Sequence, residues 1–96
     1  MLKVNRTGKY EKMEQELLLE NPELEFEVLT RIKWFCQNPN DTRLDNHPLT
    51  KRMTEKWAFS ITDDVRIVYE WLGKTIVRFL AIGGHKKVYI RKKNVD

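Results

Sequence analysis

The chain has 96 residues, 41% apolar and 33% charged, and carries a net charge of +4. That size supports one domain spanning residues 1–96, and the composition excludes a disordered chain. A lone cysteine, Cys36, excludes an internal disulfide and a cysteine-based zinc site.

In chain order, Leu2 and Val4 alternate with Lys3 and Asn5, enough for a short strand. Tyr10, Met13, Leu17 and Leu18 fall on one face of a helix. Asn21-Pro22 closes that helix and opens another, with Asn21 suited to an N-cap and Pro22 to the first helical position. Glu23, Glu25 and Glu27 then complement the positive end of the helix dipole. Leu24, Val28, Ile32 and Phe35 line one face, and Asn38-Pro39-Asn40-Asp41 stops the second helix. The two helices form an antiparallel hairpin.

After residue 42 the period changes to two. Trp57, Phe59 and Ile61 alternate with Ala58 and Ser60. Val65, Ile67, Tyr69 and Trp71 continue the pattern in a second strand, which puts Asp64, Arg66, Val68 and Glu70 on its other face. Thr62-Asp63 makes a tight connection between the two. Leu72-Gly73-Lys74 turns the chain into a third strand, Thr75 to Ile82, apolar on both faces apart from Arg78, as in a sheet interior. Gly83-Gly84 interrupts it, and Val88-Tyr89-Ile90 gives a last short strand. The predicted fold is α+β, a helical pair on one face of a mainly antiparallel sheet.

No apolar run approaches the roughly 18 residues of a membrane span. Met1-Leu2-Lys3-Val4-Asn5-Arg6 lacks the pattern of a secretory signal, so a cytoplasmic protein with no membrane partner is expected. Charge is unevenly spread. Residues 1–42 carry six Lys/Arg against eight Asp/Glu, and residues 43–96 carry twelve against six. A basic second half is the electrostatic footprint of a polyanion binder, although a plain solvated surface is the commoner source of such charge.

Chemistry candidates are few. His47 precedes a proline and His85 follows two glycines, both at element ends, and imidazole suits proton transfer near neutral pH. Asp64 and Arg66, two apart on a strand, would share a face roughly 7 Å apart. Ser60 has no glycine elbow or local acid to mark a nucleophile. Two histidines without clustered carboxylates give no expectation of a metal or other cofactor.

Four stretches in order carry a resemblance: Asn46-His47-Pro48-Leu49, then Trp57-Ala58-Phe59-Ser60-Ile61, then Asp64-Val65-Arg66-Ile67-Val68-Tyr69, and finally Leu80-Ala81-Ile82-Gly83-Gly84-His85-Lys86-Lys87-Val88-Tyr89. Together they resemble the RelE/ParE superfamily, and within it the YafQ-like branch of toxins from bacterial type II toxin–antitoxin systems. The family's opening strand and helical hairpin also fit residues 2–38. The resemblance implies a metal-independent mRNA endoribonuclease that acts at the ribosomal A site, inhibits translation and is held inactive by a cognate antitoxin.

Carried over by position, the active-site residues fall on His47, Asp64, His85 and Tyr89, with Arg66 set against the scissile phosphate. Ser60 stands where the YafQ-like pattern has another histidine, and Val65 where it has a tryptophan. On this reading His85 is the general acid and Asp64 or His47 the base, while Tyr89 stacks on or positions a nucleobase. Asp64 would alternatively orient a histidine. Lys51, Arg52, Lys56, Lys86, Lys87, Arg91, Lys92 and Lys93 would hold the backbones of mRNA and ribosomal RNA. Two other classes stay open: a non-cleaving module of the same fold, such as a ParE-like gyrase-targeting toxin, and a plain interaction domain whose basic tail only aids solubility.

Overall fold

The computed structural model describes residues 1–50 and 55–84. The predicted last strand, Val88-Tyr89-Ile90, lies outside them. Five strands, β1 (Lys3–Arg6), β2 (His47–Pro48), β3 (Trp57–Ser60), β4 (Arg66–Trp71) and β5 (Ile76–Gly83), form one sheet in the order β1-β5-β4-β3-β2. All neighbours run antiparallel except β1, which lies parallel to β5 with Lys3 opposite Ile76. Two helices, α1 (Gly8–Glu20) and α2 (Glu25–Gln37), connect β1 to the rest. The α+β expectation stands. Among the described residues no helix is long and apolar enough to cross a membrane.

The helices start and stop for local reasons. Thr7 caps α1, its Oγ1 accepting from the Tyr10 amide while its hydroxyl donates to the Phe79 carbonyl. One threonine thus ties the first helix to β5. Asn21 departs from the sequence reading. It makes no side-chain cap for the next helix and instead donates Nδ2–H to the Leu17 carbonyl, closing the end of α1. Pro22–Leu24 forms a 3₁₀ turn, and α2 begins only at Glu25, with Glu25 and Glu27 in its first turn.

Tyr10, Val28, Ile32 and Phe35 from the helices meet Phe59, Ile67, Tyr69, Val77 and Phe79 in one core. Phe35 sits at its centre, stacked on Phe59 at 4.3 Å and edge-on to Tyr69 at 4.8 Å. The alternation in β5 breaks between Phe79 and Ala81. Phe79 pairs with Tyr69 but Ala81 with Val68, so Leu80 is the extra residue of a β-bulge. This phase change returns Ile82 to the core and sets Gly83 opposite Arg66.

The sheet's other face is buried too. Ala58 and Val68 are almost fully enclosed, with Ala81 beside them and Leu49 and Leu80 packed on top. Burial on both faces explains why β4 and β5 read as nearly continuous apolar runs. The expected tight turn at Thr62-Asp63 is in fact a five-residue loop, Ile61 to Val65, between β3 and β4. It is fastened by Thr62 Oγ1, which accepts from the amides of Asp64 and Val65.

Candidate functional site

The register assembles a row of side chains on the face away from the helices. Directly paired residues point to the same side of a sheet, so His47, Ala58, Val68 and Ala81 share one row across β2, β3, β4 and β5. Two residues further on, Ser60, Arg66 and Gly83 form a second row. A histidine and an arginine distant in sequence therefore flank a buried patch of apolar residues, Ala58, Val68 and Ala81, covered by Leu49 and Leu80.

His47 is placed by the turn before it. Asp45 adopts a left-handed backbone with φ 51° and ψ 45°, which ends the 3₁₀ turn Thr42–Leu44 and aims its carbonyl back at the ring. His47 Nδ1 lies 2.7 Å from that carbonyl oxygen. A carbonyl only accepts, so Nδ1 carries the proton and the Nε2 lone pair is left to take one.

Arg66 is tied down at several points. Its Nη1–H donates to Ser60 Oγ at 2.8 Å, Nη2 lies 3.5 Å from the Asp63 carbonyl, and the Asp45 carboxylate stands 4.0 Å from Nη1. Its Nε is buried with no hydrogen-bond partner among the described residues. Asp45 thus touches both candidates, His47 through its main chain and Arg66 through its side chain. The sequence reading assigned no role to Asp45. The signal available was the turn-forming run Asp45-Asn46-His47-Pro48 itself.

Asp64 departs from the expected placement. It lies in the loop before β4, not on the strand, so the two-residue spacing to Arg66 does not put both on one face. Its carboxylate instead lies against the end of β5, where a Cβ on Gly84 would fall 2.7 Å from Oδ2. Only a glycine admits that approach. Gly84 is followed in the chain by His85. The candidates His85, Tyr89, Lys51, Arg52, Lys86, Lys87, Arg91, Lys92 and Lys93 lie outside the described residues.

Lys56 belongs to a third cluster. Its Nζ is 3.4 Å from Glu70 Oε1, while Arg78 Nε–H donates to Glu70 Oε2 at 2.8 Å. The hydrogen bonds from Arg78 hold the Glu70 carboxyl below the usual glutamate range, against the opposing effect of partial burial. One carboxylate thus tethers two cations.

No protein-family model and no curated protein matches the chain. Solved structures do. YafQ from Escherichia coli strain BL21(DE3) aligns with 93% of this chain and 99% of its own, at TM-score 0.76 and 15% identity. A copper-bound mutant toxin from Helicobacter pylori aligns over 93% and 100%, at TM-score 0.69 and 24% identity. The chain also aligns with the E. coli DinJ-YafQ toxin–antitoxin complex over 92% and 97%, at TM-score 0.68 and 18% identity. These likenesses show that the chain has the fold of the RelE/YafQ-type toxins.

Proposed function

We propose that this protein is the toxin of a bacterial type II toxin–antitoxin pair, and that it is a cytoplasmic endoribonuclease cutting mRNA at the ribosome. The observation that supports the reading is the link of His47 and Arg66 through Asp45 on a sheet whose fold is that of YafQ. Support for a cognate antitoxin comes from the DinJ-YafQ toxin–antitoxin complex among the matching structures.

Cleavage of RNA by its own 2′-hydroxyl needs three things. A base removes the 2′-proton, the 2′-oxygen attacks phosphorus as the bond to the 5′-oxygen breaks, and an acid protonates that leaving oxygen. His47 suits the first task, because with Nδ1–H held by the Asp45 carbonyl the neutral ring carries its lone pair on Nε2. Arg66 supplies charge for the crowded phosphorane, where a guanidinium is worth most in a water-poor site. His85 takes the acid role and Tyr89 stacks on a nucleobase. Asp64 orients the histidine that follows Gly84 in sequence rather than acting as the base. The products are a 2′,3′-cyclic phosphate and a 5′-hydroxyl. Lys51, Arg52, Lys56, Lys86, Lys87, Arg91, Lys92 and Lys93 would grip mRNA and ribosomal RNA backbones.

The experiment is a translation assay with purified ribosomes in magnesium-containing buffer, followed by mapping of mRNA ends. Wild type yields new 5′-hydroxyl ends, and His47→Ala and Arg66→Ala each lower their rate by about 10²–10⁴. Intact mRNA with wild type, or unimpaired cutting by both variants, overturns the reading. Inhibition of gyrase with mRNA left whole would point to the ParE-like alternative.

A further inference from the structure

Next to the proposed cutting residues, and sharing Arg66 with them, the structure contains a hollow lined by three arginines. A cavity of about 270 Å³ opens where the β3–β4 loop meets the 3₁₀ turn and α2, bordered by Arg31, Arg43 and Arg66 with Asp45 and Asp63. It is smaller than the roughly 300–1,000 Å³ pockets that enclose a drug-sized ligand, and it suits a phosphate group with its first waters.

Its arginines are fixed in place before any ligand arrives. The Arg43 guanidinium lies 3.6 Å from the centre of the Trp34 ring, and Arg31 lies 5.1 Å from the same ring. Arg31 Nη1–H donates to the Arg43 carbonyl at 2.7 Å and Nε–H to Glu27 at 2.8 Å. Asp41 takes two hydrogen bonds from the Arg43 side chain and one from its amide, which pull its carboxyl down to about 2. Arg66 contributes from the opposite wall with its buried Nε unpartnered among the described residues. Arg31 and Arg43 are each paired with a carboxylate at the rim, Glu27 and Asp41, whereas Asp45, largely exposed, stands 4.0 Å from Arg66.

We propose that this hollow binds a backbone phosphate of single-stranded RNA next to the one attacked, with Arg31 and Arg43 as its ligands and Arg66 shared between the two phosphates. The identity of the strand rests on the ribonuclease reading; the affinity for phosphate does not. Planar guanidinium forks suit a phosphodiester, and stacking on Trp34 lowers the entropy lost when they engage it. Asp45 would act as a placeholder that an incoming phosphate displaces from Arg66.

The test uses the full chain with two probes. Inorganic phosphate is titrated while the arginine Nε–Hε signals are followed by NMR, and a fluorescent single-stranded oligouridine is titrated at several salt concentrations. The expected result is phosphate-dependent shifts at Arg31 and Arg43, with several-fold weaker oligouridine binding by the Arg31→Gln/Arg43→Gln variant. Its salt slope should be smaller by about 0.7 for each phosphate it no longer neutralises. Asp45→Asn keeps the left-handed turn and tightens binding. Arg43→Gln alone, at a largely exposed side chain, repeats the test should the double variant fail to fold. An unchanged affinity and slope in these variants, or phosphate shifts confined to other arginines, overturns the proposal. Binding with the expected slope but no mRNA cleavage keeps the hollow and removes the nuclease; cleavage with an unchanged slope does the reverse.

Discussion

Ser60 and Arg66 stand opposite each other on β3 and β4, and the guanidinium Nη1–H donates to the serine oxygen at 2.8 Å. On the resemblance to the YafQ-like pattern, a hydroxyl that holds the arginine stands here in place of a histidine. A serine hydroxyl does not titrate near neutral pH, so on the proposed reading acid–base work would fall to the two histidines. Ser60→Ala removes the acceptor without touching the core. The expected cost is about 1 kcal/mol in urea unfolding. The expected slowing of mRNA cleavage is about tenfold to a hundredfold, because a loosened guanidinium is misplaced by fractions of an ångström. Cleavage at the wild-type rate would show that the bond is structural only.

Gly84 gives a sharper probe of Asp64. A Cβ there would fall 2.7 Å from Asp64 Oδ2, the far end of a side chain that can swing aside. Gly84→Ala should therefore displace the carboxylate without meeting any core residue. If Asp64 acts from that position, Gly84→Ala and Asp64→Ala reduce cleavage to similar extents, and the double variant is no worse than either. Additive losses would show that the glycine matters for another reason.

The fold was legible because its signals are local or periodic. Tyr10, Val28, Ile32 and Phe35 keep helical spacing, and Phe59, Ile67 and Tyr69 keep strand spacing, all within one core. Three features were not legible, each for a physical reason. Asn21-Pro22 fits an N-cap or a C-terminal stop equally well, and only the bond from Asn21 to Leu17 separates them. The Leu80 bulge replaces one apolar residue by another, so composition cannot mark it. Asp64 fits the β4 alternation in sequence, but Thr62 Oγ1 captures its amide and bends the chain into a loop. At the site, His47 and Arg66 could be named singly, whereas their link through Asp45 depends on a left-handed residue that side-chain periodicity does not reveal.

Glu70 sets an acid limit on part of the stability. Its folded-state carboxyl is held below the ordinary value by hydrogen bonds from Arg78, with Lys56 adding to the effect. A depressed pKa means the stabilisation is complete above the unfolded value near 4.5 and is lost as pH falls through the lower folded value. The group is partly exposed, so its contribution is about 0.2–1 kcal/mol. Thermal unfolding of wild type and Glu70→Gln should differ at pH 6 and converge toward pH 3. A constant gap across that range would exclude the ion pairs as the cause.

Tyr69 connects the core to the site. Its ring is fully buried beside Phe35, and its hydroxyl donates to Asn46 Oδ1 at 2.8 Å. Burial pushes the phenol above its ordinary value, which keeps it a neutral donor at any working pH. Asn46 in turn donates Nδ2–H to the Pro39 carbonyl at 3.1 Å, so the residue between Asp45 and His47 is gripped from both sides. Tyr69→Phe keeps the ring contacts and deletes one bond, leaving Asn46 Oδ1 without its donor. The expected loss is about 1–2 kcal/mol of stability, together with slower mRNA cleavage as the Asp45–His47 turn loosens. Asn46→Ala should reproduce both effects, and the Tyr69→Phe/Asn46→Ala double variant should cost less than the sum of the two. Simple additivity would mean that the hydroxyl and the amide act independently, and that the core does not position the histidine through this bond.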